Sequence, residues 1–413
     1  MIIVTALGTG DYKNTKYVWG NYPPCETNLF PVALAKWLKP SEMRVLLTPA
    51  AKEHPNWKTL QSLLKGKVRL DPIDIPQGGS EEELWALFSR LTQELPSKDE
   101  VVLDITHGFR SLPFVAMLAA TFLRIANDVK IRHIVYGAFE AKDEDGAVPV
   151  FDLTPLVELL EWASATDRFL ATGDARRIAE FLVAKQSAYY RQPVAGGKRP
   201  TKLQSLAGAL RKLSEAEATA QARKVTERAA SVVTQMDNMQ DDLKYLPPPF
   251  KVLTEKIRHE AEGLAWADGE KPSAEVLDRH LALLKTYSDR GQVIQGLLLA
   301  REWVVSKVCV DLGKDWIRDR DHVENALNVY ARTRRSHNGE RTSEAGDLAD
   351  RLRQLPYIER LRGAWDKLVD PRNSVAHCGM NPQSPTPEGL RQRFQEVVEY
   401  LEAMKSQHNG DPA

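Results

Sequence analysis

Three cysteines in 413 residues, Cys25, Cys309 and Cys378, are too few and too scattered to form a disulfide framework or a zinc site. That scarcity fits a reducing cytoplasm. No apolar run approaches the roughly 20 residues that a bilayer-spanning helix needs. The segment Met1 to Gly8 also lacks the basic flank and longer apolar core of a signal peptide. The expectation is a cytoplasmic protein with no membrane contact. An excess of either charge is missing too, since 56 Lys and Arg are matched by 56 Asp and Glu. No overall field draws the chain to nucleic acid, so any RNA contact must come from a local patch, for which Arg332, Arg334, Arg335 and Arg341 are candidates against a plain solvated loop. Sequence repeats of fixed period are absent, and the carboxy terminus has no basic recognition helix of a helix-turn-helix.

The 43% hydrophobic and 27% charged composition is that of a globular chain long enough for two domains and a connecting module. Strand and helix patterns alternate through the first 140 residues or so. Ile2 to Leu7, Arg44 to Thr48, Val68 to Ile75, Val101 to Ile105 and Ile131 to Tyr136 read as strands, with Val148 to Leu153 as a last one. Helical spacing fills Asn28 to Trp37, the stretch capped by Ser80 with Glu81, Glu82 and Glu83 in its first turn, and Leu112 to Ile125. That alternation predicts an α/β domain, a Rossmann-like and mostly parallel sheet.

The stretch V-V-L-D-I-T-H-G-F-R-S-L-P-F from Val101 to Phe114 organises this domain. A buried strand feeds a loop in which Thr106, His107, Gly108, Phe109, Arg110 and Ser111 bring two hydroxyls, an imidazole, a guanidinium and a flexible backbone together. Ligands of open α/β sheets bind outside the carboxyl ends of strands, which makes this loop a candidate binding site. The first strand ends in Gly8, Thr9, Gly10, Asp11 and Tyr12. A dinucleotide fingerprint would need a third glycine where Lys13 stands, so what remains is either a flexible strand end open to a phosphate or ribose, or a tight turn with no ligand.

From Thr154 onward the pattern is helical, with a break at Pro247, Pro248 and Pro249. Leu206 to Met239 reads as a long Ala-, Arg- and Glu-rich helix, either a spacer, a dimer contact or a solvated face. Leu281, Leu284, Tyr287, Ile294, Leu297, Leu298 and Val305 form stripes on one or two further helices, and Glu302 among them either orients an arginine elsewhere or looks outward. The domain division that follows is a Rossmann-like sheet domain over 1–155, a helical connecting region over 156–275 and a helical bundle over 276–413.

A second constellation lies at D-P-R-N-S-V-A-H-C-G, Asp370 to Gly379. Asp370 as a cap and Pro371 at the first helical position place Arg372 and Asn373 in a first turn, where anions are favoured, with Gly379 ending the helix. Asn373 and His377 are four apart and share a face. An imidazole, an amide and a guanidinium suit metal-free RNA cleavage, in which a ribose 2′-hydroxyl attacks the adjacent phosphate and needs both proton transfer and donors for the growing charge. The same spacing also arises in purely structural helices.

These motifs together resemble the CRISPR-associated Rossmann-fold (CARF) sensors of type III accessory proteins. D-I-T-H-G-F-R-S-L-P-F carries the likeness, with L-G-T-G-D-Y-K upstream and V-P-V-F-D-L-T-P-L-V-E-L-L-E-W downstream. R-N-S-V-A-H is similar to the Arg, four residues, His signature of HEPN ribonucleases. The resemblance implies a homodimeric, metal-independent endoribonuclease with no cofactor, activated by a cyclic oligoadenylate, first cyclic tetra-adenylate and otherwise cyclic hexa-adenylate, and cleaving single-stranded RNA. Gly8 to Tyr12 and Thr106 to Ser111 would line the sensor pocket, and Arg372, Asn373 and His377 would form half of a composite catalytic site. Two alternatives stand beside it: a sensor that also cleaves its own activator through Thr106, His107 and Arg110, and a non-catalytic ligand-sensing regulator.

Overall fold

Ile2–Leu7 is buried along its whole length and forms strand β1, as a parallel strand covered on both faces requires. The computed structural model describes residues 1–94, 100–108, 111–191, 198–266, 273–332, 343–380, 382 and 384–406, and divides into two units, Met1–Glu161 and Trp162–Ala413. In the first unit β1 is followed by β2 (Thr15–Val18), β3 (Cys25–Thr27), α1 (Phe30–Leu38), β4 (Glu42–Leu47), α2 (Pro49–Glu53), α3 (Pro55–Leu64) and β5 (Arg69–Asp74). Next come α4 (Glu81–Glu94), β6 (Glu100–Asp104), α5 (Leu112–Ala126), β7 (Lys130–Gly137), β8 (Ala147–Asp152) and α6 (Thr154–Thr172), whose last turns belong to the second unit.

The sheet order is β3-β2-β8-β7-β6-β1-β4-β5. Pairings of β1 with β4 and β6, β4 with β5, β6 with β7 and β2 with β8 are parallel, while β2 with β3 and β7 with β8 are antiparallel. The mostly parallel sheet expected from the alternation is therefore present. Strand period two divides the core between its faces. Ile3, Leu7, Met43, Val45 and Val102 pack towards α1 and α3, and Ile2, Val4, Ala6, Val101 and Leu103 towards α4 and α5.

The second unit is helical throughout its described residues. After α6 come α7 (Arg176–Arg191), α8 (Leu203–Ala218), α9 (Ala222–Asn238), α10 (Phe250–Leu264), α11 (Ala274–Asp289), α12 (Val293–Asp311), α13 (Arg320–Arg332), α14 (Ser343–Leu352), α15 (Ile358–Ala376) and α16 (Pro387–Ser406). The stretch expected as one long helix from Leu206 is two, because the chain turns back at Ala220, whose φ is +54°. Neither glycine nor proline marks that turn. Its apolar stripe is not a free spacer: Leu206, Leu210, Leu213, Val225, Ala229 and Val232 sit in one apolar cluster that continues to Met404. Glu302 does hold an arginine, Arg320, whose Nε lies 2.8 Å from its Oε2.

Arg290, in the turn between α11 and α12, ties this unit together. Its side chain is 4% exposed, and it donates to Glu217 at 2.6 Å, to Glu260 at 2.7 Å and to the Leu170 carbonyl at 2.9 Å. Gly173 is glycine of necessity, since its φ is +75° and a Cβ there would lie 1.9 Å from the Glu217 carboxylate. No helix among the described residues is long and apolar enough to cross a membrane.

Candidate functional site

In the sheet β4 and β5 lie on one side of β1, whereas β6, β7, β8, β2 and β3 lie on the other. The carboxyl ends of β1 and β6 therefore flank the point where strand order reverses, the usual ligand crevice of open α/β sheets. Gly8 to Asn14 leave β1 at that point and Ile105 to Ser111 leave β6. Thr9, Gly10, Asp11 and Gly108 are exposed, Gly8, Tyr12, Thr106 and Ser111 are half-buried, and His107 is buried. Phe109 and Arg110 lie outside the described residues.

Both loops are held from beneath. Asp104, fully buried at the end of β6, accepts the Thr5 hydroxyl at 2.7 Å and the Thr106 N–H at 2.9 Å. Thr106 in turn accepts the Gly137 N–H from β7 through its hydroxyl at 2.9 Å. His107 points into the domain, where its Nε2 accepts the Phe30 N–H at 3.4 Å. Its ring stacks on Tyr12 at 4.0 Å between centroids, and the Tyr12 hydroxyl accepts the Gly8 N–H at 2.9 Å. One imidazole thus locks the β6 loop to the β1 loop. The close approach demands small residues, because a Cβ on Gly108 would meet Leu112 at 2.5 Å.

The second constellation is placed differently from its expectation. Asp370 and Pro371 do not begin a helix: α15 runs unbroken from Ile358 to Ala376 with Pro371 inside it. Arg372 and Asn373 are in its last turns and His377 is its C-cap, so the anion-favouring amino terminus assigned to them is absent. A helix carboxyl end favours cations instead, and a phosphate here must be met by the guanidinium itself. The end is closed by a Schellman motif, with Cys378 donating to Val375 at 3.1 Å and Gly379 to Ser374 at 2.8 Å. Both Cys378 and Gly379 are left-handed, with φ of +52° and +72°.

This ending leaves the three polar groups open. Asn373 and His377 are exposed, and Arg372 is half-buried. The Arg372 Nε is buried without a hydrogen-bond partner among the described residues, and its Nη1 reaches only Asn373 Oδ1, at 3.4 Å. A guanidinium with donors to spare therefore stands one residue from an exposed amide and five from an exposed imidazole. Arg334, Arg335 and Arg341 of the expected basic patch lie outside the described residues, as does the side chain of Arg332. Among the described residues no cluster of three His, Cys, Asp or Glu could hold a metal ion.

Residues 2–140 match the family described as CRISPR system endoribonuclease Csx1, CARF domain. The first unit carries a CARF domain. Over 111 residues the chain is 36% identical to a CRISPR-associated protein of Methanocaldococcus jannaschii, a match that covers 26% of this chain and 18% of that one. The chain thus spans less than a fifth of this curated relative's length. Among solved structures, Enterococcus italicus Csm6 bound to cyclic hexa-2′-fluoro-hexa-dAMP aligns over 98% of this chain and 94% of its own, with 11% identity and a TM-score of 0.47.

Within the CARF domain, two supporting residues escape a reading of the sequence. Asn56, in the first turn of α3, donates to the carbonyls of Gly8 at 3.1 Å and Gly10 at 2.9 Å, and so holds the β1 loop open. No local signal announces it, since its partners are 46 and 48 positions away. Asp104 is legible as a strand end but not as the anchor of Thr5 and Thr106.

Titration of this site is balanced by opposed groups. Burial lowers His107 from an ordinary 6.5 to about 4, so its stabilising contribution is complete above 6.5 and is lost as pH falls from 6.5 to 4. Burial raises Asp104 from 3.8 to about 6 against the hydrogen bonds of Thr5 and Thr106, so its contribution is complete below 3.8 and is lost as pH rises to 6. Between about pH 4 and 6 the two slopes oppose each other. Asp104→Asn is expected to remove one of them, so that Tm falls more steeply between pH 6 and 4 than in the wild type. Parallel Tm–pH curves for the two proteins would contradict this assignment.

Proposed function

We propose that the chain is a type III CRISPR accessory effector, a homodimer whose CARF domains bind a cyclic oligoadenylate and whose helical unit then cleaves single-stranded RNA. The observation that carries the reading is the match of residues 2–140 to a CARF domain, with the β1 and β6 loops meeting at the switch point of the sheet. The exposed backbone of Thr9, Gly10 and Gly108, with the hydroxyls of Thr106 and Ser111, supplies donors suited to phosphate and ribose. A two-fold axis through the switch points of two copies would match a pseudo-symmetric ring, cyclic tetra-adenylate first and cyclic hexa-adenylate otherwise.

In the helical unit, Arg372, Asn373 and His377 form the HEPN-type half-site of this reading. His377 moves the proton between the attacking 2′-hydroxyl and the leaving oxygen. Arg372 and Asn373 donate to the phosphorane oxygens as charge grows there, and no metal is required. A second copy completes the site, and the ring acts by favouring one arrangement of the dimer over another. His107, engaged through Nε2 and held neutral by burial, serves the ring as a positioning residue.

Calorimetry with each ring tests the sensor half of the reading. One ring is expected per two chains, with Asn56→Ala weakening it about tenfold as two hydrogen bonds of ~0.5–1.5 kcal/mol each are lost beneath the loop. Tm should fall by a few degrees as well. Binding of neither ring by the wild type would overturn the reading.

A further inference from the structure

The helical unit contains a cleft of about 820 Å³ between the α8–α9 turn, α11, α12 and the segment after α12. Its volume is that of an ordinary small-molecule site. Two buried polar groups line it without partners among the described residues: His280, 5% exposed, through Nε2, and Trp316, 7% exposed, through the indole N–H. Their rings stack on each other at 6.1 Å, with an angle of 19° between planes. A buried donor and a buried ring nitrogen left unpaired are costly and uncommon in a finished core. Burial, with the Arg223 charge nearby, lowers His280 to about 4, so the imidazole is neutral and offers one donor and one acceptor.

The mouth of the cleft carries the opposite half of a ligand's requirements. Helix α9 begins there at Ala222, and its N-cap Gln221 makes no side-chain cap. Carboxylates ordinarily occupy such a first turn, but this one holds none and instead carries Arg223 and Lys224. Lys224 is paired with Glu227 at 2.6 Å, and the other acidic residue of the lining, Glu302, is held by Arg320. Arg223 has no hydrogen bond or ion pair from its side chain among the described residues. The positive end of a helix and a guanidinium with no side-chain ion pair thus converge at the opening, an arrangement that suits a phosphate.

We propose that this cleft is a nucleotide-binding site, in which a phosphate sits on the α9 amino terminus and Arg223 while a planar base reaches inward to His280 and Trp316. The walls suit the ring, because Ile317 and Leu298 are apolar and Trp303, whose indole N–H is already given to the Leu277 carbonyl, presents only its surface. The ligand class is a nucleoside monophosphate unit, either free or as one residue of an RNA strand. This site is separate from the switch-point loops and from Arg372 to His377, and it does not depend on the reading of either.

The test is calorimetry on the full chain with AMP, adenosine, inorganic phosphate and a short single-stranded oligoribonucleotide. Arg223→Ala, at an exposed position, leaves the core untouched, and Trp316→Phe keeps the ring but removes the N–H. AMP is expected to bind more tightly than adenosine or phosphate, and to weaken about tenfold in Arg223→Ala and severalfold in Trp316→Phe. The same losses seen only with the oligoribonucleotide would assign the site to a nucleotide within a strand. Binding of both that is unchanged in the two variants, or phosphate binding as tight as AMP, would overturn the proposal.

Discussion

Replacing His377 with alanine is expected to lower activator-dependent RNA cleavage by a factor of about 10² to 10⁴, the usual contribution of a positioned acid–base group. The residue caps α15 at its carboxyl end, exposed and beyond the last buried position of the helix, so its removal touches no core. Tm and ring binding should be unchanged, which separates a chemical role from a structural one. Arg372→Lys should lose a comparable share of activity, because an ammonium keeps the charge but not the planar fork that a phosphorane can engage with two parallel bonds. Full activity in His377→Ala would leave the α15 end as a structural feature and return the helical unit to a regulator's role.

The largest expected effect on stability lies elsewhere in the same unit. Arg290→Ala should cost about 3–5 kcal/mol, because Glu217, whose side chain is 2% exposed, would keep its burial and lose its cation. For a unit of this size that is a fall in Tm of roughly 10 °C. Burial already raises the Glu217 carboxyl above its ordinary value, and Arg290 pulls it back down. Without Arg290 the folded carboxyl rises further and takes up a proton. Stability contributed by that raised group is lost as pH rises through it, so the variant's deficit should be smaller at pH 5 than at pH 8. A deficit independent of pH would mean that the bonds to the Phe169 and Leu170 carbonyls, and not the ion pair, are what Arg290 contributes. The double variant Arg290→Met with Glu217→Gln should recover part of the loss, since removing both charges is cheaper than stranding one.

Much of the sheet domain was legible because its strands obey local rules. Ile2–Leu7 is expected and found with the same bounds, and the β1 and β6 loops singled out for their glycines and hydroxyls follow the two strands between which strand order reverses. Thr15–Val18 and Cys25–Thr27 were missed, being short strands at one edge of the sheet, the latter just beyond Pro23 and Pro24. The pairing of β2 with β8 depends on contacts more than a hundred residues apart, and β3 pairs with β2 alone.

The α15 motif shows the opposite failure. Asp370 and Pro371 carry a sound local signature of a helix start, but Leu361, Ala364, Trp365, Leu368 and Pro371 make a buried stripe at spacings of three and four. Burial of that stripe, at ~1.5–3 kcal/mol for each large side chain, outweighs the ~3 kcal/mol that an interior proline costs. Tertiary burial therefore moved the candidate catalytic groups from the start of a helix to its end, and with them the local field. The residues that support the CARF loops were hidden for a related reason: Asn56 acts through carbonyls in another segment, and Asp104 through a neighbouring strand.

The central claim is that one chain couples ring binding to RNA cleavage, and it is tested most directly by following a fluorescent single-stranded RNA in EDTA. Wild type and His377→Ala would be compared with no ring, with cyclic tetra-adenylate and with cyclic hexa-adenylate. The account predicts cleavage by the wild type that requires one of the two rings, survives EDTA and disappears in His377→Ala. Cleavage that proceeds equally without either ring, or that persists in His377→Ala, would contradict it.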